Sequence, residues 1–180
     1  MTLAWKRLRT RAVAACRVFD VRADVAVHPV TGREREFFVL ESPDWVNVIA
    51  LTADDRVVLV EQYRHGTASV TLELPGGTVE PGEDPLAAGL RELAEETGHG
   101  DGMAEVLGWC EPNPALQSNR CWFVLVRGVR PVGPPAPDEG EHVAVRLEPL
   151  SAVPRLLATG AITHAHVLAS FQRFFARGGR

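Results

Sequence analysis

Apolar and polar positions alternate through residues 17–27, with Val21, Ala23, Val25 and Val27 on one face, which predicts a strand. Pro29-Val30-Thr31-Gly32 is a turn, and residues 34–40 read as the returning strand. Residues 1–43 are therefore expected to form a β-hairpin arm, set off by Ser42-Pro43-Asp44, with residues 44–180 as the main domain. Apolar runs at 45–51 and 56–61, joined by Ala53-Asp54-Asp55, predict a second hairpin, and a short strand at 71–74 stops at Pro75. Further strands are expected at 103–110, 121–126 and 143–147. Residues 131–141, with Pro131, Pro134, Pro135, Pro137, Gly133 and Gly140, predict a mobile surface loop. The chain ends in helical patterns at 151–158 and 162–177, the latter striped by Val167, Leu168, Phe171, Phe174 and Phe175. Strands on both sides of one central helix, with terminal helices, predict an α+β fold: a mixed sheet between helical layers.

That central helix is bounded by unusually plain signals. Asp84 is placed as N-cap, Pro85 at the first helical position and Gly98 as the stop. Leu86, Leu90, Leu93 and Thr97 share a core-facing stripe, while Glu92, Glu95 and Glu96 fall at i, i+3 and i+4 on another face. An acidic helix face is most often simply solvated. Magnitude argues otherwise here. Carboxylates about 6 Å apart repel by ~0.7 kcal/mol in bulk water, but by ~3 kcal/mol at an effective dielectric near 20. The Gly- and Pro-rich segment at 76–85 would partly exclude water beside them, so a counter-cation resolves the repulsion. Oxygen-only donors favour Mg²⁺ or Mn²⁺ over Zn²⁺.

Composition narrows the partners. A chain of 180 residues with 46% hydrophobic content suits one compact domain and a small appendage. Net charge is −4, with no basic stripe, so no nucleic-acid partner is expected. Cys16, Cys110 and Cys121 are an odd, scattered set that fits a reducing cytoplasm. Lys6, Arg7, Arg9 and Arg11 before Ala12-Val13-Ala14-Ala15 imitate an export signal, but the apolar run is too short for one. No stretch approaches a membrane span, so no membrane partner is expected.

Spacing adds the specific chemistry. Gly77, five residues, Glu83, seven residues, Arg91-Glu92-Leu93, one residue, Glu95-Glu96, one residue, Gly98 resembles the signature of the Nudix hydrolases, departing only at His99, where an aliphatic residue is usual. Outside this box, Val60-Glu61-Gln62-Tyr63-Arg64, Pro114 sixteen residues beyond Gly98, and a Pro-rich loop with Glu139 and Glu141 resemble the ADP-ribose pyrophosphatase and nucleoside-diphosphate-sugar hydrolase branch. The resemblance implies an α/β/α sandwich and a homodimer joined through the N-terminal arm. It implies divalent cations held by the Gly76 carbonyl, Glu92, Glu95 and Glu96, with Glu139 or Glu141 activating water and Glu95 a further candidate. Arg64, Trp45 and Pro114 are the implied substrate contacts, although Trp45 could equally be a strand-edge core residue. Arg91 is implied to be structural, paired with Glu83, and its helical angle is read as pointing away from Glu92. His164 and His166, two apart on an expected helix, are read as diverging. The implied substrate is a nucleoside-diphosphate-linked small molecule; a non-catalytic nucleotide sensor, or a hydrolase of dinucleotides or RNA 5′ ends, is the alternative.

Overall fold

The computed structural model describes residues 3–137, 140 and 142–179. Two units separate: Met1–Pro43 with Glu111–Arg120, and Asp44–Cys110 with Cys121–Arg180. The 111–120 segment thus belongs with the first unit, although the sequence reading places it in the domain starting at 44.

The first unit is a three-stranded antiparallel sheet of β1 (Lys6–Ala15), β2 (Asp20–Val27) and β3 (Glu34–Glu41), with β2 central. The expected two-stranded arm is corrected by β1. All ten β1 residues are exposed, so no buried face writes an alternation into its sequence. Arg9 reaches Glu34 and Arg11 reaches Glu36 across β2, at 3.2 and 3.0 Å. Leu116 O accepts from Leu40 N at 2.8 Å, which ties the 111–120 segment to β3.

The second unit is built on one mixed sheet. Its strands are β4 (Trp45–Thr52), β5 (Arg56–Arg64), β6 (Ser69–Glu73), β7 (Gly76–Thr78), β8 (His99–Gly100), β9 (Met103–Cys110), β10 (Cys121–Pro131) and β11 (Val143–Pro149). The backbone order is β11-β5-β4-β10-β8; β6 pairs β5, β7 pairs β4 and β9 pairs β10. Only the β4–β10 pairing is parallel among these ladders. Both central strands are apolar on both faces, as burial between two layers requires. On one face Val46, Val48, Ala50, Val124 and Val126 meet Ala88 and Leu93 of α1 (Pro85–Thr97). On the other, Ile49, Leu51, Phe123 and Leu125 meet Val153 and Leu156 of α2 (Val153–Ala158) and Val167, Phe171 and Phe174 of α3 (Ala165–Ala176). This is an α/β/α sandwich.

Local differences have local causes. The helix expected at 151–158 opens with a 3₁₀ turn, Leu150–Ala152, before α2, with Pro154 in its first turn where a missing N–H costs nothing. α3 begins at Ala165, three residues later than expected, because His164 has extended backbone angles (φ −65°, ψ 120°). The loop at 131–141 is tied at its start. Val132 N and Ala136 N donate to Gly98 O and Glu95 O at 2.8 and 2.7 Å, which fixes the 131–136 limb to the end of α1. Gly133, part of the loop expected to be mobile, sits over Gly98, whose φ of 67° and lack of a side chain admit it. Among the described residues no helix is long and apolar enough to cross a membrane.

Candidate active site

The α1 caps form as the sequence dictates. Asp84 accepts from Leu86 N and Ala87 N at 2.9 and 3.3 Å, Pro85 starts the helix, and Gly98 ends it. β7 pairs with β4 and packs on this helix, and its two glycines permit two close approaches. A Cβ on Gly76 would overlap the Val46 carbonyl; one on Gly77 would overlap the Glu92 carboxylate. Gly76 N donates to Glu96 Oε2 at 2.9 Å, and Glu96 is only 4% exposed. The helix therefore presents its buried carboxylate directly to the turn that follows β6.

Arg91 organises the remaining acids. Its Nε and Nη2 donate to the two Glu83 oxygens at 3.0 and 3.1 Å, and Nη2 also to Thr78 O at 3.0 Å. Nη1 donates to Glu92 Oε1 at 2.9 Å and to Glu95 Oε2 at 3.0 Å. This corrects the expectation that Arg91 points away from Glu92. A helical angle fixes Cβ, whereas the long flexible side chain folds its guanidinium back across the acidic face. The Glu83 hydrogen bonds, with those of Glu92 and Glu95, hold the Arg91 guanidinium far above its ordinary range despite burial. Glu83 is lowered in return, chiefly by the Arg91 bond and then by the Glu80 backbone N–H.

Among the described residues, no three His, Cys, Asp or Glu side chains converge closely enough to hold a metal ion. Glu92 and Glu95 are bridged by Arg91, and Glu96 is turned toward Gly76. The donor set nonetheless fits a hard divalent cation. It is all oxygen, it sits on one short helix, and Gly77 leaves the Glu92 carboxylate room that any side chain would fill.

The other expected residues divide. Arg64 ends β5 and is paired with Glu73 on β6. Trp45 opens β4, packs partly against the α3-side core, and its ring lies 5.1 Å from that of His166. Pro114 is an exposed turn residue of the first unit. Glu139 and Glu141 lie outside the described residues.

Sequence reasoning passed over Glu73 and misread His164 and His166. The two histidine rings do not diverge; their centroids are 5.0 Å apart, edge to face. The i, i+2 divergence holds only inside a helix, and His164 is the extended cap residue before one. Burial pushes His166 down to about 4, helped by His164, and pushes His164 down against the pull of Glu73. Glu73, alone in the apolar run Leu72-Glu73-Leu74, was the available signal. Burial alone would raise its carboxyl; the Arg64 and Thr71 hydrogen bonds reverse this and hold it below the usual range.

A fold of α1 against a mixed sheet, with two strand glycines of β7 set against its carboxylates, defines a class that comparison identifies. The NUDIX domain family matches residues 42–171, and the chain belongs to that family. The methanol dehydrogenase activator of Bacillus methanolicus is 37% identical over 94 residues, covering 52% of this chain and 50% of that protein. The ADP-sugar pyrophosphatase of Mus musculus is 37% identical over 143 residues, covering 71% and 63%. The chain thus spans about half to two thirds of the length of these relatives. The crystal structure of an ADP compounds hydrolase superposes with a TM-score of 0.86 over 100% of this chain and 99% of that one, at 24% identity, which is a likeness of fold.

Proposed function

We propose that this protein hydrolyses the pyrophosphate bond of ADP-ribose or a related nucleoside-diphosphate sugar, giving a nucleoside monophosphate and a sugar phosphate. The observation that carries this reading is the close fit of the β7 glycines against α1, with Gly76 on Glu96 and Gly77 against Glu92. The named activity of the mouse relative, ADP-sugar pyrophosphatase, supports the substrate class.

Gly76, Glu92, Glu95 and Glu96 would hold Mg²⁺ or Mn²⁺. The cation, when bound, neutralises diphosphate oxygens and lowers the pKa of water. Arg91 keeps Glu92 and Glu95 neutralised in the cation's absence and stays anchored by Glu83, which leaves both carboxylates free to exchange partners. Glu139 orients or deprotonates the attacking water, with Glu141 the second candidate and Glu95 the third. Arg64 binds a substrate oxyanion; Trp45 and Pro114 remain assigned to substrate contact. The first unit is assigned to homodimer formation. β1 supplies β2 with a second partner, so an unpaired hairpin is no longer the reason; exposed Trp5, Leu8, Phe37 and Phe38 are. The odd, scattered cysteines support a cytoplasmic location.

A sensor that binds such nucleotides without cleaving them is the competing reading, and the presence of Glu92, Glu95 and Glu96 together weighs against it. A panel of ADP-ribose, GDP-mannose, UDP-glucose and dinucleotides, assayed with Mg²⁺ for products, tests the proposal. Cleavage of a diphosphate-linked sugar is expected. Binding without cleavage across the panel would favour the sensor.

A further inference from the structure

A buried carboxylate joins two strands and the start of a helix. Glu73 is 2% exposed, yet it sits in β6 among core residues. Arg64 donates to it at two points, Nε to Oε1 and Nη2 to Oε2, both at 2.8 Å. Thr71 Oγ1 donates to the same Oε1 at 2.5 Å, and His164 Nε2 stands 3.9 Å from Oε2. Such a pair is a poor way to stabilise a fold, because desolvating the charges offsets most of their attraction. What it supplies is geometry. A two-point bond to a carboxylate fixes the plane and direction of a guanidinium. Here the anchoring partner is buried, while the Arg64 side chain is 42% exposed and so reaches solvent. The anchor's backbone is near the acidic helix: Glu73 precedes Gly76, whose N–H bonds Glu96, by three residues, a chain length that spans at most roughly 10–11 Å.

We infer that Glu73 is a positioning residue: steadied by Thr71 and flanked by His164, it aims Arg64 at an oxyanion of a diphosphate substrate beside the acidic helix. This rests on the hydrolase reading for the substrate's identity. It does not depend on turnover.

The test is calorimetric binding of ADP-ribose to the full-length, EDTA-treated protein, with a double-mutant cycle of Arg64→Lys and Glu73→Gln. Lysine keeps the charge and loses the fork; glutamine keeps the shape and loses the ionic anchor. Each change should raise Kd by roughly 5–20-fold, and the double variant should be no worse than the weaker single. Thr71→Val, which leaves both charges in place, should raise Kd about 2–5-fold and keeps the test available if Glu73→Gln does not fold. Effects that multiply in the double variant would overturn the inference. So would a Glu73→Gln protein with lower thermal stability but unchanged Kd, or an unchanged Kd for Arg64→Lys. Turnover with Mg²⁺ separates the two readings: a protein that binds with coupled losses but cleaves nothing keeps the positioning role and loses the hydrolase. Wild-type protein that binds neither ADP-ribose nor inorganic pyrophosphate overturns both.

Discussion

Replacing Arg91 by methionine removes the cation that Glu83, Glu92 and Glu95 share, while keeping a long apolar stem on α1. The cost can be built from the contacts. The bond to Glu95 is 42% exposed on the acid side and contributes at most about 0–1 kcal/mol. The two-point bond to Glu83 and the bond to Glu92 are better shielded, with those acids 16% and 14% exposed, and contribute about 1–2 kcal/mol each after screening. The metal-free variant should lose about 2–5 kcal/mol, a fall in unfolding temperature of roughly 4–20 °C for a chain of this size. On the proposed ligand set, a divalent cation held by Glu92, Glu95 and Glu96 would do the same neutralising work. The deficit should therefore shrink when Mg²⁺ replaces EDTA, and Mg²⁺ should stabilise the variant more than the wild type. Thermal unfolding of both proteins, with and without saturating Mg²⁺, reads this directly. A deficit of the same size in both buffers would refute the view that Arg91 and the metal neutralise the same acids.

Other outcomes follow from the proposed function and from the burial of His166. Glu139→Gln should lower kcat by roughly 10²–10⁴-fold with little change in KM, and Glu141→Gln should raise the Mg²⁺ requirement; the reverse pattern in steady-state kinetics would exchange the two roles. The unfolded chain protonates His166 near 6.5, the folded chain only near 4, so the unfolded state binds more protons between these values and stability falls as pH drops from 6.5 to 4. After discounting for partial exposure this loss is about 1–2 kcal/mol, and His166→Phe should flatten the stability profile in that window in denaturant titrations. Light scattering should give a dimer for the full chain, and a monomeric mass would remove the role given to the first unit.

What the sequence made legible were the features fixed by neighbours along the chain. Asp84, Pro85 and Gly98 bound α1 at the residues expected, because capping is a local matter of one side chain and one backbone angle. The central strands were legible through their largely apolar runs. β1 was not, since Lys6-Arg7-Leu8-Arg9-Thr10-Arg11 buries neither face and pairs through its backbone and its cross-strand ions. β7 was hidden for a similar reason: Gly-Gly-Thr carries no side-chain pattern at all. Within the site, the positions of the three helix glutamates were readable, but their partners were not. Arg91 reaches four groups through a side chain whose path no helical wheel predicts. Glu73 and His164 meet only because β6 and the entry to α3 are brought together by tertiary packing.

Turnover of ADP-ribose by wild-type and Glu96→Gln protein, with Mg²⁺ and with EDTA, bears most directly on the proposed chemistry. Glutamine keeps an oxygen to accept from Gly76 N, so the fold should hold within about 1 kcal/mol while an anionic metal donor is lost. The wild type should release AMP and ribose 5-phosphate only with the divalent cation, and Glu96→Gln should lose most of that activity at an unchanged or higher unfolding temperature. Wild-type rates in EDTA, or an undiminished rate for Glu96→Gln, would contradict a metal-dependent hydrolase built on this helix.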